Sequence, residues 1–528
     1  MAPDNIQRPR IVGRSGRRLA RLVGLVSLLP LCACTTLKLP SAAFETVEPP
    51  VRWESADALA TNVDSAGTGA DTGTGAGAAT VDAVSLVSWW RRFDDPQLVA
   101  LVELALAANA SVLGAQAASS QAQALRVVAA AALWPQLGSS ASARRATVDG
   151  DSTGNSFQAG LDAIWAPDVF GAARATVDAS DAAVRASAAS LGDVQVQISA
   201  EVALNYILLR SAQARLVIAG ESLSSQLETL QITRWREQAG LVTALDSEQA
   251  RAAAAQTRAA LPVLQTSISQ TGHALSLLTG QPPAALKAQL AAAGPLPQTG
   301  GALVMSIPAE TLRQRADVRA AELQVAAALA RLGQAEAQRW PTFSIGGSLS
   351  LSALTLGALT NGASVLGSLL ASVNWPVIDG GAARARMFAQ QAALAQARQV
   401  YRAAVLGALR DVEDALAALQ GDRLRLASLD EAAAAANVAV LLARQRYSSG
   451  LVDFQVVLET QRAQITAQDS QARASADVSG DQVRLFKALG GGWRVKSVVA
   501  VATPVIHTLA DTSADISAAT TVPREATP

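Results

Sequence analysis

Two stretches of the chain alternate apolar and polar residues with period two. In PTFSIGGSLSLSAL, Phe343, Ile345, Leu349 and Leu351 fall on one face, with Thr342, Ser344, Ser348 and Ser350 on the other. In SFQAGLDAIW, Phe157, Leu161 and Trp165 oppose Gln158 and Asp162. LLASVNW and PQLGSSASARR carry weaker versions of the same pattern. Alternation over about ten residues suits a β-strand with lipid on one side and water on the other. Trp134 and Trp340 open a strand and Trp165 and Trp375 close the next, so an up-and-down hairpin puts all four at one membrane interface, where aromatic belts sit.

Elsewhere the pattern is helical. Proline-free segments run from Gly171 to Ala239 and from Gly381 to Ser449. At ~1.5 Å per residue each reaches ~100 Å. Val405, Val412, Leu419 and Leu426 recur every seven residues with Leu409 and Leu416 between them, which is coiled-coil spacing. The Arg, Asp and Gln between the apolar positions place these helices in water. Each stops at a glycine, Gly240 or Gly450, because glycine takes the left-handed conformation a helix stop requires. Return helices are expected from Thr243 to Thr279 and from Asp453 to Leu489, and shorter ones over Pro96–Leu133 and Pro308–Arg339.

These elements occur twice. GAARA stands at Gly171–Ala175 and again at Gly381–Ala385, 210 residues on. The pairs Trp165/Trp375, Arg236/Arg446 and Gly240-Leu241/Gly450-Leu451 keep that offset, while Trp134-Pro135 and Trp340-Pro341 are 206 apart. Shared alanine content cannot hold tryptophan, glycine and arginine in register, so the chain is an internal duplication. The expected organisation is a signal segment (1–33) and an anchor with a low-complexity insertion (34–95). A first repeat (96–282, hairpin 135–166), an equatorial linker (283–306), a second repeat (307–489, hairpin 341–377) and an end with a C-terminal tail (490–528) follow. One hairpin per repeat makes four strands per chain. Lipid cannot satisfy the edges of an open sheet, so the chain must associate, a dimer giving eight strands and a trimer twelve.

Composition narrows the function. Aromatic residues are 4% and charged residues 16%, a mixture suited to long helices packed through small side chains. The net charge of zero hides an asymmetry: residues 1–33 hold six arginines and one acid, leaving 37 basic and 42 acidic residues beyond them. That balance argues against nucleic acid. The arginines precede the apolar run LVGLVSLLPLCA, which has signal-peptide anatomy. Leu31-Cys32-Ala33-Cys34 has the form of a bacterial lipobox, with Cys34 as the acylated, palmitate-bearing N-terminus. Thr35, not aspartate, follows it, which favours the outer membrane. Cys32 and Cys34 are the only cysteines, so the mature chain carries no disulfide and no thiolate metal cluster. The two histidines, His273 and His507, suggest no metal site, and LGGGW at Leu489–Trp493 is a helix stop without the lysine of a phosphate loop. No cofactor motif and no catalytic set emerges.

Taken in order, CACTTL, WWRRFDDPQLVALVELAL, IWAPDVFGAAR, LLTGQPP, IPAETLRQRADVRAAE, VIDGGAARAR, DVEDALAAL, RYSSGLVDFQVVLETQR and FKALGGGW resemble the TolC-like outer-membrane efflux factors, in their OprM-type lipoprotein branch. The resemblance runs from Cys34 to Trp493. It implies an α+β membrane protein: a homotrimer with a twelve-stranded outer-membrane barrel, four strands per chain, continued by a long periplasmic α-helical barrel. It also implies a periplasmic adaptor and an inner-membrane RND-type transporter as partners. The chain departs from the pattern in the insertion within Ala56–Ser85, in the Ser/Thr/Ala-rich tail after Trp493, and at Ser448, Gln455 and Glu459.

Two groups of candidate residues follow. Arg236, Gly240, Leu241, Arg446, Gly450 and Leu451 mark the periplasmic mouth, where exposed leucines are available to adaptor hairpins and the arginines complement helix C-termini. Asp453 and Glu459 would form acidic rings in a threefold pore, with Tyr447 and Gln455 holding the aperture shut. The expected function is a passive exit duct for drugs or other small toxic compounds. Rival readings are export of protein or polysaccharide through the same fold, and a coiled-coil scaffold lipoprotein without a pore.

Overall fold

A computed structural model describes residues 86–148, 152–299 and 314–493. The signal segment, Cys34, the 56–85 insertion, His507 and the tail after Trp493 lie outside the described residues. Helix α1 (Pro96–Ala108) and α2 (Ala110–Ala131) lead to strands β1 (Gln136–Val148) and β2 (Ser152–Trp165). Helix α3 (Ala172–Gln238) runs out and α4 (Ala244–Leu278) returns, followed by the short α5 (Lys287–Leu290). The second repeat comprises α6 (Ala316–Ala337), β3 (Thr342–Ala353), β4 (Ser364–Asn374), α7 (Ala382–Ser448) and α8 (Phe454–Ala488). Equivalent helices match in length: 67 residues for α3 and α7, 35 for α4 and α8, 22 for α2 and α6.

The strands form one antiparallel sheet in the order β1-β2-β3-β4. Both hairpins share one register: Gln136 faces Ile164 and Thr342 faces Asn374, positions related by the offsets 206 and 210. Among the described residues β1 and β4 each have one unpaired edge.

One expectation is corrected. Pro96–Leu133 is not a single helix; it breaks at Asn109 with a bend of 42°. The Asn109 side chain accepts from the Ser111 and Val112 N–H groups, capping α2, and donates to the Leu278 carbonyl at the end of α4. A buried asparagine with both ends engaged locks the kink in place.

The main hydrophobic core sits midway along α3. There Trp89, Phe93, Leu98, Tyr206, Leu209 and Phe486 pack together, with Trp89 stacked on Phe486 at 5.5 Å. Buried Arg210 donates to the Tyr206 hydroxyl, the Gln97 side chain and the Ala292 carbonyl, tying α1 and the segment after α5 to α3. Burial and a hydrogen bond to Asp95 push Tyr206 up to about 12, so its hydroxyl stays protonated.

Both α3 and α7 contain stretches long and apolar enough to cross a bilayer. Each spans ~100 Å, more than three times a ~30 Å hydrocarbon core, and their apolar stretches are bordered by charged residues such as Arg410, Asp411 and Asp414. The sheet is the better spanning element.

Candidate functional site

The strand registers assign every side chain of the sheet to a face. Phe157, Leu161 and Trp165 lie level with Ala353, Leu349 and Ile345, and Ile345, Leu349 and Leu351 lie level with Ala371, Gly367 and Val365. Most apolar positions of the four strands therefore share one face, with Ile164, Leu366 and Leu370 among the exceptions. On the other, Ser344 bonds Ser372 at 2.6 Å and Ser348 bonds Ser368 at 2.7 Å, and Ser140 donates to Asp162. Neither face is covered: Leu369 on the apolar side is 83% exposed. A soluble sandwich would bury one face against a second layer. An uncovered apolar face backed by a ladder of hydroxyls instead fits a wall between lipid and water.

The four tryptophans stand at the end of this sheet where the helices begin. The Trp165 indole N–H donates to the Leu133 carbonyl, and Phe170 stacks on Trp340 at 5.6 Å and lies 6.4 Å from Phe343. Trp134, just before β1, and Trp375, just after β4, are exposed beside the outer strands.

At the opposite end of the helices, both hairpins turn through the same motif. Gly240 has φ +72° and Gly450 φ +73°. The N–H of Leu241 donates to the Arg236 carbonyl and that of Gly240 to Glu237, while Leu451 donates to Arg446 and Gly450 to Tyr447. This is the Schellman arrangement, and it explains the repeated R-x-x-x-G-L spacing as local helix-stop geometry. The geometry leaves both leucines outside: Leu241 is 71% and Leu451 73% exposed.

The two tips differ in their side chains. Arg236 does not serve its own helix end. Its guanidinium donates to the Tyr447 and Ser448 carbonyls of α7 at 3.3 and 3.4 Å and lies 4.6 Å over the Tyr447 ring. Arg446, its counterpart, is exposed and makes no ion pair among the described residues. Tyr447 packs on Phe454 at 5.4 Å, and its hydroxyl is buried without a partner. Below them Leu230, Ala250, Ala443, Phe454, Val457 and Leu458 form a small core joining α3, α4, α7 and α8. Asp453 precedes α8 without a capping bond from its side chain, whereas Thr243 and Asp246 close a full capping box at α4. Gln455 donates to Glu459 at 3.2 Å on an exposed face of α8. Tyr447 thus belongs to the packed interior of the tip, while Asp453, Gln455 and Glu459 lie on its surface.

Comparison with known proteins decides the family. The sequence matches the family described as "Outer membrane efflux protein" twice, over residues 101–281 and 307–491, one match for each repeat. The chain belongs to the outer membrane efflux protein family. It is 30% identical over 481 residues to "Pyoverdine export outer membrane protein OpmQ" of Pseudomonas putida, covering 89% of this chain and 97% of that protein. It is 30% identical over 411 residues to "Solvent efflux pump outer membrane protein SrpC" of Pseudomonas putida, covering 76% and 87%. Its structure resembles that of the outer-membrane channel OprN, with 34% identity and a TM-score of 0.72, covering 81% of this chain and 99% of that one. The fold is that of the trimeric, TolC-like α+β efflux channels, and the function is that of an outer-membrane efflux-pump channel.

Three features of this efflux protein escape sequence reasoning. The bridging role of Arg236 is hidden because Arg446 has the same spacing. Phe170 closes the joint between the hairpins, which only the β2–β3 pairing reveals. Asp168 and Asp379 tie down the starts of the long helices. Burial pushes the Asp168 carboxyl up, but the Arg174 and Ala173 N–H groups and the Arg174 guanidinium outweigh it and hold the group below its ordinary value. The N–H groups of Ala383 and Gly381 do the same for Asp379. An aspartate a few residues before a helix-starting glycine was the available signal. His273 lies exposed on α4, and no metal-ligating cluster occurs among the described residues.

Proposed function

We propose that three copies of this chain close into a lipid-anchored exit duct for drugs or other small toxic compounds. A periplasmic adaptor and an inner-membrane RND-type transporter would load it from below. The observation that carries this reading is the four-stranded panel, which has one predominantly apolar face, one face bearing a ladder of hydroxyls and an unpaired edge on each side among the described residues. Such edges are intolerable in hydrocarbon, and three panels supply the twelve strands of a sealed barrel. The helices support the same closure. Helix α3 packs between α4 and α8 toward the tips, and α8 packs between α3 and α7, leaving α4 and α7 as the outer helices of the row. A row with two unlike edges associates head to tail, and such contacts give a ring where the rotation between copies closes.

Within that ring Cys34 would carry the lipid anchor and the four tryptophans the inner interface belt. The repeats 96–282 and 307–489 would act as the two structural units of each subunit, joined by the linker 283–306. Leu241 and Leu451, presented by Gly240 and Gly450, would form six apolar knobs for the adaptor. Asp453, Gln455 and Glu459 would face the aperture, with Tyr447 bracing the hairpin that carries them. The related proteins named for pyoverdine export and solvent efflux support small organic cargo over protein.

The test is direct. Detergent-purified protein should have the mass of three chains, conduct ions in planar bilayers, and restore drug tolerance to a strain lacking its own outer-membrane duct. A monomer without conductance would refute the reading.

A further inference from the structure

Three charged residues occur in the four strands: Arg144, Arg145 and Asp162. Register assigns each to a face. Arg144 lies level with Ser156, and Asp162 with Gly138 and Ser348, on the side that carries the hydroxyl ladder. Arg145 lies level with Asn155, in step with Ala143 and Phe157, on the predominantly apolar side. It is the one charge that the described strands turn toward lipid, and among the described residues it makes no ion pair.

The duplication shows that this charge is particular to the first hairpin. Adding 206 to a β1 position and 210 to a β2 position gives the equivalent position in the second hairpin, so the opposed pair Arg145–Asn155 corresponds to the opposed pair Leu351–Val365. The backbone is the same, and only the side chains have changed from polar to apolar. Beyond β3 the second hairpin stays apolar, with Leu354 and Leu356 exposed. The height of the polar pair matters as much as its face. Arg145 stands 11 residues beyond Trp134, and Asn155 ten residues before Trp165. About 9–11 tilted residues carry a strand across the hydrocarbon, so the pair reaches the interface opposite the tryptophans, at the end away from the helices. A lipid-facing arginine is costly at the bilayer centre and tolerated at this level, where its head meets polar groups.

We propose that Arg145 and Asn155 bind the phosphate of a lipid headgroup in the outer leaflet, one lipid per chain. The guanidinium donates a parallel pair of hydrogen bonds to phosphate oxygens, and the Asn155 amide, directly across the strand pair, adds a further donor. Leu351 and Val365 offer no donor at the equivalent place, so a barrel of three chains holds three such lipids, not six. This rests on the membrane-spanning panel proposed above and assigns its first hairpin a ligand.

Native mass spectrometry of the detergent-purified trimer, titrated with diphosphoryl lipid A, tests the site. The parent should retain up to three lipids per trimer. Arg145→Leu installs the residue of the second hairpin and should weaken retention by about tenfold or more, the worth of a hydrogen-bonded charge. Arg144→Leu changes the adjacent arginine on the opposite face and should retain lipid as the parent does. Millimolar inorganic phosphate should not displace the lipid, because the acyl chains hold the headgroup against the wall. Displacement would make the site a reader of free phosphate. Unchanged retention in Arg145→Leu would mean that the guanidinium answers to Asp149 or Asp151 of its own turn, and equal losses in both arginine variants that the lipid senses net charge alone. Each of these results overturns the site and, where the variants still conduct as trimers, leaves the duct standing. Parent protein that forms no trimer and does not conduct overturns both.

Discussion

The two repeats share backbone geometry nearly residue for residue, yet they handle their ends differently. Helix lengths, hairpin registers and the left-handed glycines at 171, 240 and 280 recur at 381, 450 and 490. At the first tip Thr243 and Asp246 satisfy each other in a capping box, and Arg236 reaches over to the other hairpin. At the second, Asp453 and Glu459 stay at the surface, and Tyr447 receives the arginine from its neighbour. The duplication preserved what builds a wall and let the side chains at the aperture diverge. Function is therefore to be sought where equivalent positions disagree.

Paired substitutions at equivalent sites can break that comparison, and the largest contrast is expected at Gly192. A Cβ there would fall 2.4 Å from a ring carbon of Trp493, so the indole must move. Overpacking of this kind costs about 1–3 kcal/mol. Its counterpart 210 residues on is Arg402, an exposed side chain of α7. Gly192→Ala should lower the melting temperature of the trimer and speed hydrogen exchange around Phe486–Trp493, whereas Arg402→Ala should stay within about 0.5 kcal/mol of the parent. Equal melting temperatures for the two would mean that Trp493 is not seated on α3.

Next come the tip arginines. Arg236→Ala removes two hydrogen bonds to helix-end carbonyls and a cation–π contact, together about 1–2 kcal/mol at a partly exposed site. The loss should appear as faster exchange at Tyr447–Leu451 and a higher open probability in planar bilayers. Arg446→Ala should change neither. If the two variants behave alike, Arg236 is only completing its own helix end and does not latch the hairpins together.

These contrasts also show what the sequence could and could not reveal. The faces of β3 were plain from the alternation of Phe343 and Ile345 with Ser344, because lipid and water each demand one kind of side chain. The helix stops were equally plain, since Gly240 and Gly450 must take positive φ. The kink at Asn109 was not, because its side chain answers to the end of α4, 169 residues away. Nor could spacing separate Arg236 from Arg446: both stand four residues before the tip glycine, and only the packing of α3 beside the second hairpin lets one of them bridge. Short-range rules located the panel and the tips, and long-range contacts set the chemistry that distinguishes them.

A smaller pair of effects should separate stability from conduction. Thr243→Ala opens a capping box and should cost about 1 kcal/mol without altering ion selectivity. Asp453→Ala removes a side chain that makes no capping bond, so stability should hold. If the carboxylate faces the aperture, the reversal potential in a salt gradient should move toward weaker cation preference. A stability loss in Asp453→Ala equal to that of Thr243→Ala would make it an ordinary cap and remove it from the aperture.

The smallest effect lies at the membrane end, where the repeats use different aspartates for one task. Asp168 holds α3 through two N–H groups and the Arg174 guanidinium, while Asp379 holds α7 through the Gly381 and Ala383 N–H groups. Both carboxyls titrate below their ordinary value, so the stability each adds is present above about pH 4 and is lost as pH falls through the lower folded-state value. Asp379 is fully exposed and has no guanidinium hydrogen-bonded to it among the described residues, so acid should fray the start of α7 before that of α3. Hydrogen exchange of Ala382–Ala385 compared with Ala172–Ala175, followed from pH 6 down through 3, should show this order. Asp379→Asn should make the first turn of α7 exchange at pH 6 as it does in acid. Simultaneous fraying of both helices would mean that Arg174 adds nothing to the hold of Asp168.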